Sequence, residues 1–296
     1  MNEQLAKDLI ETIRQAFNLT DDEHKEVLQQ YNESRNNINQ FIADMYIRYG
    51  IDGEIDFPEF QRLHMHEVES YLEEEVSNIA RTELLLFPAI LISALALTYN
   101  KSAYHIEQNL NVPLEMGINF SLLRPESIDT VINYNWSGVP FSERIWDNTE
   151  ALIKSLRQEL TQGLQQGESI DKMAKRINKQ FNSKAYESQR LIRTEAARVI
   201  TDAQEQIYKD SGVVKELQFT ATLDSRTSQG CRDLDGKRYR IDDPEKPLIP
   251  RHPNCRSCWI AIPFDDYNPK VRKDNETKEI IPYQTYNDWK QSKGIS

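Results

Sequence analysis

Apolar residues recur at helical spacing through the first 110 residues of the chain. The opening segment, EQLAKDLIETIRQAF, places four of them close to one helix face: Leu5, Ile10, Ile13 and Phe17. A second helix is predicted to end at Tyr49, before a glycine, and a third to begin near Pro58. Because the polar positions between them are rich in Glu and Asp, residues 1–110 are predicted to form long helices with acidic, solvated faces.

Proline and glycine interrupt residues 111–141, which are predicted to be a loop-rich connector. Helical spacing returns over residues 142–212. We predict three helices there: one that ends at Gly167, a short one over SIDKMAKRINKQF, and a last one that begins near Lys184 and runs about seven turns to Gly212.

After Gly212 the period of the pattern changes to two. In VKELQFTATLD the apolar and polar residues alternate, which predicts a half-buried strand, and KRYRI and WIAIP are predicted to be two more short strands. We therefore predict a small β-rich module over residues 213–265, followed by a C-terminal tail over residues 266–296. The predicted fold class is α+β, with mostly helical N-terminal and middle regions and the β module near the C-terminal end.

The charge of the chain is strongly negative and unevenly distributed. The formal net charge is −11, which disfavours a protein that coats DNA nonspecifically, since phosphate neutralisation requires an excess of Lys and Arg. Residues 1–130 contain 9 basic and 23 acidic residues, a balance of −14, so the remaining residues carry +3. The acidic helical part and the rest of the chain are thus electrostatically different.

One stretch is apolar enough to suggest a membrane helix, the run from Leu84 to Leu97. At roughly 14 residues it is shorter than the ~20 needed to cross the hydrocarbon layer, and Pro88 interrupts it. We predict a buried helix at this position and no membrane partner.

All three cysteines of the chain lie within one window of the predicted β module, and a histidine lies between them. Cys231, His252, Cys255 and Cys258 form the pattern C-x20-H-x2-C-x2-C. Two thiolates from a tight turn, with a His and a Cys from elsewhere, complete a tetrahedral zinc site, so the pattern predicts a structural Zn²⁺. Two alternatives stay open: a cysteine nucleophile with His252 as its base, and reduced cysteines that only pack.

The segments TLDSRTSQGCRDLDGKRY and IPRHPNCRSC resemble the phage Mu protein F-like, head-morphogenesis family of minor capsid proteins. The helical text upstream, including RLIRTEAARVITDAQEQIYKDSGV, is also similar to that family, and the resemblance is strongest over residues 120–265. Many members have a Cys at the position of Ser228 and a Cys-x-Cys pair after the histidine. The departure leaves the fourth metal ligand open between Cys258, Ser228 and a carboxylate such as Asp224.

The resemblance implies a low-copy protein of a tailed phage or prophage, packaged in the virion. Its expected partner is the portal protein, bound through residues 1–110, with scaffolding or major capsid protein and packaged DNA as further expected contacts. Its expected location is the capsid interior near the portal, and the host cytoplasm during assembly. No catalytic residue is predicted, and Glu195 is expected to form a helix pair with Arg198. The alternative function is a metal-dependent nuclease or a phage-borne toxin effector.

Overall fold

The fold joins long helices to short antiparallel strands, as seen in a computed structural model that describes residues 2–51, 55–110, 125–263 and 267–294. The helices are α1 (Asn2–Glu23), α2 (Lys25–Tyr49), α3 (Phe57–Leu63), α4 (Met65–Leu110), α5 (Pro125–Ile132), α6 (Phe141–Gln165), α7 (Ile170–Asp210), α8 (Gln229–Arg232) and α9 (Tyr286–Ser292). The strands are β1 (Glu216–Thr220), β2 (Arg238–Arg240), β3 (Cys258–Ile262), β4 (Val271–Lys273) and β5 (Ile280–Pro282). The predicted α+β class is confirmed.

The chain divides into two compact units. We call residues 23–89 and 135–192 the helical unit, and residues 1–22, 90–134 and 193–296 the cysteine unit. Both α4 and α7 contribute residues to each unit.

The helical unit is built from α2, α3, α6 and the first parts of α4 and α7. Its apolar core includes Ile38 of α2, Leu72 of α4, Leu156 of α6 and Ile177 of α7, each fully buried. Each of these helices repeats its apolar residues every three or four positions and so has one apolar face. The four apolar faces pack together in one core.

A buried polar network also lies inside the helical unit. The hydroxyl of Tyr31 donates to Glu83 at 3.1 Å and accepts from the amide of Asn148 at 3.1 Å. His24 Nε2 lies 3.1 Å from the hydroxyl of Ser188. Because the Glu83 side chain is only 1% exposed, its carboxyl depends on these few partners instead of water.

The sheet of the cysteine unit has the strand order β2-β1-β3, and both pairings are antiparallel. All three strands are those predicted from the sequence. Trp259 of β3 packs its ring edge-on against Phe219 of β1, with ring centroids 5.4 Å apart. A turn follows Asp235, where Gly236 has a φ of +80°, which glycine adopts without steric cost.

Residues 267–294 differ from the predicted tail, because they complete the core of the cysteine unit. They form β4, β5 and α9, and the side chains of Trp289 and Tyr286 are 0% and 1% exposed. Arg272 of β4 is buried and forms an ion pair with Asp235 at 2.9 Å. The prediction missed this because three short elements with few apolar residues give a weak periodic signal.

The helix boundaries depart from the sequence predictions at three places. α7 is one helix where two were predicted, because no Gly or Pro interrupts it and the buried stripe continues through Phe181 and Ser188. The predicted connector contains α5, while its residues 111–124 lie outside the described part of the chain. In α1 the buried face centres on Leu9 and Ala16, whereas Ile10 and Phe17 are only partly buried.

One helix of the described residues, α4, is long and apolar enough to cross a membrane by length and composition. It continues through Pro88 and contains the run predicted to be a buried helix. Phe87, Leu91 and Leu95 within that run are fully buried. These criteria are weak evidence for a span, because core helices of globular proteins also meet them.

Candidate metal centre

Three of the four predicted ligands converge in the cysteine unit. The ligand atoms of Cys231, His252 and Cys255 all lie within 4.8 Å of one another. The Sγ of Cys231 is 3.4 Å from Nε2 of His252. For typical zinc bond lengths of about 2.3 Å to sulfur and 2.0–2.1 Å to nitrogen, a tetrahedral S–N edge is roughly 3.6 Å. The spacing thus fits two ligands of one ion.

Short local structures place these side chains. Cys231 lies on the single turn α8, and His252 and Cys255 lie on the loop before β3, where the amide of Cys255 donates to the carbonyl of His252 at 3.1 Å. Asn254 has a φ of +59°, a left-handed conformation that asparagine tolerates better than most residues. Its amide donates to the hydroxyl of Thr194 on α7 at 3.0 Å. The loop is therefore held against α7 by a direct hydrogen bond.

The hydrogen bonds of His252 determine which nitrogen can bind a metal. Its Nδ1 lies 2.9 Å from the carbonyl oxygen of Pro253, which can only accept. Nδ1 therefore carries the proton and Nε2 has the free lone pair. Nε2 faces both Cys231 and, at 2.8 Å, the hydroxyl of Ser228. This is the arrangement expected of a ligating imidazole whose other nitrogen donates to a backbone carbonyl.

The thiols of Cys231 and Cys255 have different pKa values. A hydrogen bond from Cys255, opposed by burial and assisted by Ser228, lowers the pKa of Cys231 to about 4. The hydrogen bond to the Cys231 thiolate, together with burial, raises the pKa of Cys255. At neutral pH the pair thus holds one thiolate and one thiol, and a bound cation would favour release of the second proton.

Cys258 is not among the three convergent ligands, which differs from the predicted four-ligand set. It is the first residue of β3 and pairs with Thr220 of β1, so the sheet, rather than a metal-binding turn, sets its position. Burial raises its pKa to about 12, which keeps it a thiol. Neither does Asp224 reach the cluster as a ligand, because Arg256 and Asn275 engage both of its oxygens.

Ser228 is the one of the three proposed fourth ligands that lies beside the cluster. Its hydroxyl contacts His252 at 2.8 Å and hydrogen-bonds Cys231. The possible metal donors are therefore two sulfurs and one imidazole nitrogen, with the hydroxyl oxygen of Ser228 beside them. Such soft and borderline donors fit zinc.

The remaining sequence hypotheses for this region have clear structural outcomes. Cys231 is 1% exposed, which disfavours a nucleophile that a substrate must reach. Glu195 and Arg198 form the expected pair, a buried ion pair at 3.1 Å. Thr194, in the IRTEAAR segment of α7, contacts the loop that carries His252 and Cys255, and sixty residues separate it from its partner Asn254.

Residues 154–260 match the profile of the family described as Phage Mu protein F like protein. The matched range contains Cys231, His252 and Cys255 and ends two residues after Cys258. The family resemblance predicted from the sequence is confirmed.

Two curated relatives are similar to this chain. The minor head protein GP7 of Bacillus phage SPP1 is 24% identical over 281 residues, which cover 88% of this chain and 89% of that protein. The NAD(+)–arginine ADP-ribosyltransferase EFV of Enterococcus faecalis is 28% identical over 203 residues, 63% of this chain but only 40% of that protein. No solved structure matches the chain.

Proposed function

We propose that this chain is a minor head protein that takes part in phage head morphogenesis. The observation that carries the proposal is the match to the SPP1 minor head protein, which extends over nearly the whole of both chains. The Mu F-like profile supports the same role independently over the region that contains the cysteines.

The proposed location is the virion, inside the capsid at the portal vertex, after assembly in the host cytoplasm. We propose the portal protein as the main partner, with scaffolding or major capsid protein and packaged DNA as further contacts. The excess of acidic residues in the N-terminal part of the chain supports docking on a protein surface rather than on DNA.

The metal is proposed to be a structural Zn²⁺ held by Cys231, His252 and Cys255, with Ser228 or water as the fourth ligand. When bound, the ion cross-links α8 to the loop before β3. The chain's own residues orient this centre: Pro253 fixes the imidazole and Thr194 holds the loop. No catalytic step is proposed. The transferase activity in the name of the Enterococcus relative belongs to a protein of which this chain covers 40%.

The test is assembly with the portal, scaffolding and major capsid proteins of the same genome. The chain should co-sediment with procapsids at low copy number and should be lost when the portal protein is omitted. Procapsids without the chain would contradict the proposed role, and retention without portal protein would contradict the proposed partner.

A second experiment addresses the rival activity. The purified chain is incubated with labelled NAD⁺ and an arginine-containing protein acceptor, with an active ADP-ribosyltransferase as positive control. The structural role predicts no transferred label. Transfer that survives repurification would contradict it.

A further inference from the structure

The exposed face of α7 within the helical unit carries a line of cations. Its exposed positions follow the helical repeat at intervals of three or four residues: Lys172, Lys175, Lys179, Asn182, Tyr186 and Arg190, with Ser183 beside them. We call these seven residues the cationic stripe. From Lys172 to Arg190 the stripe is about 27 Å long at 1.5 Å per residue.

Asp171 is exposed beside one end of the stripe, and no exposed position from Lys172 to Arg190 is acidic. Residues 170–190 contain six Lys and Arg and two Asp and Glu, in a chain whose net charge is −11. The other helices of the helical unit expose carboxylates: Glu33 and Asp44 on α2, Glu73 and Glu74 on α4, and Asp147 and Glu150 on α6. Exposed cations also occur on these helices, such as Arg48 on α2 and Lys154 on α6, but they lie among carboxylates. The positive charge is therefore concentrated on one face of α7.

Part of the positive charge near the stripe is neutralised locally. Lys172, at one end, pairs with Glu168 at 2.5 Å, and Lys184, on the flank, pairs with Glu187 at 2.8 Å. Arg190, at the other end, also has an interaction partner. Lys175 and Lys179 have no carboxylate partner among the described residues. The middle of the stripe therefore presents the least compensated charge.

The side-chain chemistry of the stripe suits a phosphate backbone. Lysine and arginine neutralise phosphates, and Asn, Ser and Tyr donate hydrogen bonds to phosphate oxygens without reading sequence. The length of the stripe is close to one turn of duplex DNA, about 34 Å. We propose that the cationic stripe binds the phosphate backbone of double-stranded DNA without sequence specificity. This inference rests on the proposed function, which places the chain beside a packaged genome.

The test measures binding of the full-length protein to a 30-base-pair duplex by fluorescence anisotropy between 50 and 200 mM salt. The variant K175Q/K179Q/R190Q removes three charges from the stripe. The control variant R62Q/R226Q/K237Q removes three exposed charges from other surfaces. Equal thermal unfolding of all three proteins shows that folding is unaffected.

The stripe variant should bind at least roughly tenfold more weakly at 100 mM salt, and its log–log salt slope should fall by about 2.7, since each phosphate contact contributes about 0.9. The control variant should retain the wild-type slope. Equal losses in both variants would overturn the proposal, as would equally tight binding of polyglutamate. Procapsid incorporation is measured in parallel. If the wild-type protein enters procapsids but binds no duplex, DNA binding by the stripe is refuted and the proposed head-protein role is unaffected.

Discussion

Glu83 gives the sharpest prediction for the helical unit, because its carboxyl is buried beside neutral hydrogen-bond partners. Burial raises the pKa of Glu83 from 4.5 to about 7, and hydrogen bonds from Ser188 and Tyr31 offset only part of this effect. The Glu83→Gln substitution keeps the shape and the acceptor oxygen for Tyr31 but cannot ionise. It therefore isolates the cost of placing a negative charge in this core.

The magnitude follows from proton linkage. In the folded state Glu83 releases its proton near pH 7, whereas in the unfolded state it does so near pH 4.5. The folded state therefore binds more protons between these values, and stability falls as the pH rises through that window. The rise in the pKa of Glu83 from 4.5 to about 7 corresponds to about 3 kcal/mol. E83Q should match the wild type near pH 4 and exceed it by up to about 3 kcal/mol at pH 8.

The assay is urea unfolding at several pH values between 4 and 8, followed by far-UV circular dichroism. Hydrogen exchange of peptides from α2 and α6 runs beside it, because two compact units need not unfold together. Glu26→Gln, which removes an exposed carboxylate of α2, is the matched control. If the difference between E83Q and the wild type is the same at all pH values, the reasoning about Glu83 is refuted.

Three further predictions concern the cysteine unit. Cys231→Ala should abolish zinc binding, whereas Cys258→Ala should retain about one zinc per chain, as measured by mass spectrometry. Equal metal content in the two variants would reject the three-ligand set. Arg272→Met should lower the free energy of unfolding by about 3–5 kcal/mol, because it leaves Asp235 buried without its ion pair; calorimetry that shows no loss would contradict this. Trp289→Ala should cost about 3–5 kcal/mol and expose α9 to protease, since the indole is fully buried; unchanged protease resistance of α9 would count against its role in the core.

Much of this architecture is visible in the sequence where the signal is periodic. The strands β1, β2 and β3 could be predicted because alternation over a few residues specifies a half-buried strand. The cluster of Cys231, His252 and Cys255 was visible because three cysteines in one window are improbable by composition alone. The position of Cys258 could not be predicted, because pairing across the sheet determines it. The specific hydrogen bond between Thr194 and Asn254 could not be predicted either, because the two residues are sixty positions apart in the chain.

Helix boundaries were harder to predict from the sequence than the strands. A new helix was predicted to begin near Lys184, yet no Gly or Pro interrupts α7 there and its buried stripe continues. Local propensity is a weak prior, and tertiary packing of Phe181 and Ser188 overrides it.

Asp235 has a consequence for how the cysteine unit folds. Its carboxylate accepts hydrogen bonds from the backbone amides of Ala221 and Tyr286 and from the guanidinium of Arg272. Groups up to 65 residues apart in the chain therefore meet at one side chain. Such contacts close long loops and give a high contact order, which slows folding. None of the three segments can satisfy Asp235 alone, and so the sheet, β4 and α9 should open and close as one cooperative foldon. Their amides should then exchange with solvent at a common rate under native conditions.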